Sequence, residues 1–109
     1  MNDKQLAKWQ AQLAQAQAAL AKIGPMRPGS LSRPYKDPVN KTGAHWQLSY
    51  THHMRSRSRY VRPEEVARIK RLLANFKRFR QLVDRCVDLS VMIADRQTQL
   101  LRTAPQDRP

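Results

Sequence analysis

The chain has one cysteine, Cys86, and three glycines in 109 residues. A lone cysteine excludes an intrachain disulfide and any zinc site built on paired thiolates, and it fits a reduced, intracellular protein. Gly24, Gly29 and Gly43 are too scattered to make a phosphate-cradling loop. Aromatics are 6% of the chain, so base stacking is not expected to lead; alternating aromatics in a small sheet are usually core. No long apolar run occurs. Over residues 1–23, Lys4, Gln5, Lys8, Gln10 and Gln12 break up the apolar positions, which excludes a membrane span or signal peptide there and predicts a soluble, cytoplasmic protein.

The most telling shortage is of acidic groups, 8 against 21 Lys plus Arg, for a net charge of +13. Such an excess is a footprint for a polyanion, nucleic acid before an anionic membrane. It is also localised: residues 27–80 hold 14 basic and 3 acidic residues, net +11.

A single α+β domain is predicted, mainly helical with a small β element. Asn2, Asp3 and Gln5 resemble a helix start with a capping box. Leu6, Trp9, Leu13, Ala16, Leu20 and Ile23 then alternate by three and four, a coiled-coil-like seam over 2–23. Four prolines and three glycines between 24 and 44 predict an extended, wrapping connection. A period of two follows, with Trp46, Leu48 and Tyr50 on one face, and a basic β-hairpin over 45–61 is expected, its register open for want of an Asn-Gly or Asp-Gly turn. Pro63, Glu64 and Glu65 suit a helix start. The helix over 63–102 carries Ile69, Leu72, Phe76, Phe79, Val83, Cys86, Ser90, Ile93, Gln97 and Leu100 in another three-four alternation. The first helix spans only about half its length, so a second copy of the chain is expected to cover the rest of the stripe, as a helical hairpin or dimer. Residues 103–109 read as a frayed tail.

Arg55, Arg57 and Arg59 alternate with Ser56 and Ser58. In a strand, residues two apart share a face, so the arginines would form a row spaced about 6.5–7 Å, close to the phosphate repeat of one nucleic-acid strand. The competing reading is a solvated edge whose charges discourage strand pairing. Arg62, Lys70, Arg71, Lys77 and Arg78 extend the basic region into the helix, and Arg27, Arg33, Lys36 and Lys41 lie in the connection. These twelve are the predicted nucleic-acid-binding residues. His45, His52 and His53 with Cys86 do not make a metal site on this pattern, because adjacent strand histidines face opposite ways. With no nucleophile beside a defined base, the chain reads as no enzyme and as needing no cofactor.

The stretches "IGPMRPGSLSRPY" (23–35), "HWQLSYTHHMRSRSRYVRPEEV" (45–66) and "LANFKRFRQLVD" (73–84) resemble a family of short basic prokaryotic proteins of uncharacterised function, encoded beside or fused to transposase-like genes in mobile elements. Many of its members carry a cysteine-rich insert before the first strand. Here that place reads "KDPVNKTGAHW", so no zinc role carries over. The resemblance implies a mobile-element setting and leaves mechanism open.

Together these readings predict a DNA-binding accessory or regulatory factor, homodimeric and nucleoid-associated. The alternatives are an interaction module docking on a transposase or nuclease and an RNA-binding component of a ribonucleoprotein.

Overall fold

The computed structural model describes residues 3–103. Asn2 and the tail from 104 onward lie outside the described residues. In chain order the elements are α1 (Lys4–Ala21), β1 (Ser30–Ser32), β2 (Tyr35–Asp37), β3 (Thr42–Ala44), β4 (Trp46–His52), β5 (Arg55–Val61), a 3-10 turn (Pro63–Glu65) and α2 (Val66–Thr103). This is the α+β class, dominated by one long helix. The chain divides into two compact units, Ile23–Arg78 and the two flanking segments up to Lys22 and from Phe79.

In the flanking-segment unit, Asp3 caps α1: its backbone is extended and its Oδ1 accepts from the Leu6 amide at 3.0 Å. Gln5 is therefore the second helical residue, one short of the position a capping box requires, and the expected box does not form. Arg96 Nε donates to Asp3 Oδ2 at 2.7 Å, which ties the first turn of α1 to the last third of α2. The predicted α1 seam matches burial, with Ala16 buried and Leu6, Trp9, Leu13, Leu20 and Ile23 half-buried. The α2 seam differs from expectation. Leu82, Leu89 and Ile93 are buried, whereas Ser90 and Gln97 are exposed. A straight helix drifts about 20° per heptad from a strict seven-residue repeat, and turning Leu89 inward spares the cost of burying the Ser90 hydroxyl.

In the Ile23–Arg78 unit, β1, β4 and β5 form an antiparallel sheet in the order β1-β4-β5, and β2 pairs with β3 in a separate two-stranded sheet. Leu48, Val61, Val66 and Ile69 form the core, with Leu31, Trp46, Tyr50 and Leu73 packed around it. The chain's own sheet thus covers the start of the α2 stripe, where a second copy had been expected. The proline-rich connection is held at several points. Arg27 N–H donates to the Leu72 carbonyl at 3.2 Å, and Asn75 Nδ2 to the Pro25 carbonyl at 2.8 Å. Gly29 (φ 136°) approaches so closely that a Cβ there would sit 3.0 Å from both the Ser49 carbonyl oxygen and Leu48 Cδ1; only glycine fits. The "MRPGS" stretch and the Asn75 patch of the long helix, both part of the family resemblance, therefore meet in space.

The β4–β5 connection is tighter than its sequence predicts. His52 pairs with Arg55, leaving His53 and Met54 as a two-residue turn, both at positive φ (51° and 64°). That is the type I′ arrangement, which Asn and Gly favour. For other residues left-handed backbone costs roughly 1–2 kcal/mol each.

Candidate nucleic-acid interface

The register decides which way the arginines face. Leu48 pairs with Arg59, Tyr50 with Arg57 and His52 with Arg55, and directly opposed residues of antiparallel strands share a face. The arginine row therefore lies on the same face as Trp46, Leu48 and Val61, which Val66 and Ile69 of the α2 N-terminus help to bury. Past the core residues that face continues outward as Arg55, Arg57 and Arg59, all exposed, on the edge strand of the sheet. The opposite face carries Gln47, Ser49, Thr51, Ser56, Ser58 and Tyr60 and no charge. Thr51 and Ser56 join hydroxyls across it at 3.0 Å.

Two aromatic rings gather further cations onto the arginine face. The Arg27 guanidinium sits 4.5 Å from the centroid of the Tyr50 ring. Arg33 and Lys70 lie 5.4 Å and 5.2 Å from that of Trp46. Such contacts hold a cation over an aromatic face while leaving its polar end free to bond elsewhere. Trp46 and Tyr50 thus serve as cation supports.

Of the twelve predicted residues, the structure brings Arg27, Arg33, Arg55, Arg57, Arg59 and Lys70 together on or beside one face. Arg62 is exposed at the end of β5, and Arg71, Lys77 and Arg78 are exposed along α2. Lys36 and Lys41 belong to the β2–β3 hairpin, where Asp37 accepts from the Asn40 amide (3.2 Å) and from Asn40 Nδ2 (2.7 Å) to hold the turn. No hydrogen bond or cation–π contact among the described residues links them to the row. The Asn40 side chain and then its amide lower the Asp37 pKa.

Among the described residues the sole ion pair is Arg96–Asp3, in the other unit. The cations of Ile23–Arg78 therefore stand without a carboxylate partner within 4 Å. Asp37, Glu64 and Glu65, the acidic residues of that unit, form no ion pair with them among the described residues.

Sequence reasoning missed the hairpin tip. Tyr50, His52, His53, Arg55 and Arg57 line a cleft of about 550 Å³ there. The His52 and His53 rings were expected on opposite faces, yet their centroids lie 3.9 Å apart, because the left-handed backbone of His53 brings its ring back beside that of His52. The signal that could have found this is the four-residue spacing His52–Arg55 read as a closed turn. Among the described residues no three His, Cys, Asp or Glu side chains gather as a metal site, and no helix is long and apolar enough to cross a membrane. Comparison with protein-family models, with curated proteins and with solved structures gave no match to this chain.

Proposed function

We propose that this protein is a non-enzymatic nucleic-acid-binding factor, acting on duplex DNA in preference to RNA, in the cytoplasm and associated with the nucleoid. The observation that carries this reading is the arginine face: a row of exposed guanidinium groups, reinforced by ring-supported Arg27, Arg33 and Lys70, with no ion pair to a carboxylate among the described residues. Uncompensated like charges repel one another, and a phosphate backbone relieves that repulsion while releasing its own counterions. A role beside a mobile-element enzyme rests on the family resemblance of the three quoted stretches.

A homodimer is part of the proposal. Val87, Val91 and Leu101 are exposed (55%, 52% and 71%) and, with Ala94 and Thr98, continue a three-four spacing along α2. An apolar line of that kind suits a facing helix. The same line also favours a second reading, docking on a helix of a transposase or nuclease.

Binding to length-matched duplex DNA, single-stranded DNA and an RNA hairpin, titrated with salt, tests the reading. With about six phosphates contacted, the log-log salt slope is expected near −5, and duplex affinity falls roughly a thousandfold between 50 and 200 mM salt. A flat response, or equally weak binding to all three, overturns it. Sedimentation of the same samples reads the oligomeric state; a monomer that co-purifies with one protein favours the docking reading.

A further inference from the structure

The tip of the β4–β5 hairpin pairs an unfavourable backbone with an unfavourable side chain. His53 and Met54 both hold positive φ, where asparagine or glycine would sit without strain. Met54 is also 97% exposed, more than any other exposed large hydrophobic among the described residues. None of the described residues covers it. Folding alone explains neither choice, since a glycine at 54 would relax the turn and remove the exposed thioether together.

The surroundings indicate what could cover that side chain. Arg55 and Arg57 follow it on β5, and His53 of the turn and His52 at the end of β4 precede it; these four line a cleft with Tyr50. An apolar protein groove is a poor match for a tip ringed by cations and imidazoles. A nucleic-acid groove is a good one, because it offers phosphates on both walls and, between base pairs, an apolar slot that opens when a step unstacks. Apolar side chains, methionine among them, act as wedges at such steps, and methionine's unbranched, flexible chain suits a narrow, irregular gap.

We propose that the hairpin enters a groove of duplex DNA tip first and that Met54 wedges into a base step, unstacking and kinking it while the arginines hold the flanking phosphates. The substrate class follows from mechanics. Pyrimidine–purine steps such as TA and CA unstack readily, whereas A-tracts are stiff, so the protein favours duplexes with a flexible step at the contact point. This rests on the nucleic-acid reading above and adds the place and manner of contact.

The test uses the full chain and two duplexes of equal length and base composition. One carries a central TA step flanked by 2-aminopurine; the other carries an A-tract with the same reporter. Both bear end dyes for energy transfer. The wild-type protein is expected to raise 2-aminopurine fluorescence and shorten the end-to-end distance on the TA duplex, and to bind it more tightly than the A-tract. Met54→Gly, which suits the turn better and changes no charge, should keep the salt slope and lose the fluorescence rise. Met54→Leu should retain the rise. A wild-type complex with unperturbed stacking, or a Met54→Gly complex that unstacks the step as well as wild type, overturns the wedge alone. Absence of any duplex complex at low salt overturns the wedge and the nucleic-acid reading together.

Discussion

The two units of this chain treat charge in opposite ways. Ile23–Arg78 holds 13 basic residues against 3 acidic, whereas the flanking segments hold 8 against 5. The first has no ion pair among its described residues; the second spends its best-placed carboxylate, Asp3, on both a helix cap and Arg96. The hydrophobic material differs too. The flanking unit is helical and relies on a seam of Leu82, Leu89, Ile93 and Ala16, while the central unit packs a sheet on the α2 N-terminus around Leu48, Val61 and Ile69. The contrast teaches that a small protein need not balance its charge locally. Where the positive excess is concentrated, a buried apolar cluster backs the face and two aromatic rings support three of the cations, with no ion pair among the described residues.

The comparison breaks first at the arginine row. Reversing Arg55, Arg57 and Arg59 to Glu is expected to weaken duplex binding by at least about a hundredfold, since three phosphate contacts become repulsions. Helicity and oligomeric state should not change, as circular dichroism and sedimentation would show. If binding survives, the row is a solvated edge and the contact surface lies elsewhere.

Leu48→Ala probes what holds that face. Leu48 is fully buried between Leu31, the α2 N-terminus and Val61, so truncation is expected to cost about 2–5 kcal/mol in urea denaturation, as buried leucines do. Hydrogen exchange should locate the loss in β1, β4 and β5 rather than at Leu82–Ile93. A uniform loss across both would show that the units unfold as one.

The smallest effect is expected from acid. The Leu6 amide, followed by the Arg96 side chain, lowers the Asp3 pKa below its ordinary 3.8. A depressed carboxylate contributes stability that is present above the unfolded value and is lost as pH falls through the folded one. The first turn of α1 should therefore loosen only as pH drops below about 3.8. Asp3→Asn should remove that dependence while leaving the Asp37 turn to titrate by itself. The Leu6 and Asn40 amide shifts in an NMR titration separate the two.

Much of this architecture was legible in the sequence. Helical periodicity located α1 and α2 to within a few residues, Pro63 marked the second helix start, and period-two alternation found β4 and β5. Breaker density over 24–44 ruled out any long element there, but the segment, expected as an extended connection, holds three short strands, β1 paired with β4 and β2 with β3. What escaped was what depends on pairing across space. The capping box failed because the helix begins one residue later than Asn2 would require. Ser90 and Gln97 were assigned inward because a strict heptad ignores helical drift. The side on which the arginines lie could not be read from β5 alone, for it depends on a turn that neither His53 nor Met54 advertises. The pairing of Arg27 with Tyr50, and of Arg33 and Lys70 with Trp46, likewise had no local signal.

Asp3 and Arg96 are 93 positions apart in sequence, and the unit they join is assembled from the chain's two flanks. This sets an order of events during synthesis. At about 5–20 residues per second, α1 leaves the ribosome roughly 5–20 s before its partner segment, and its apolar seam waits uncovered for that time. The hairpin between them closes on near neighbours and carries little loop-closure penalty. The nascent protein should thus form its β4–β5 ribbon early and complete its helical unit last, leaving α1 as the segment most in need of a chaperone or of a neighbouring copy of itself.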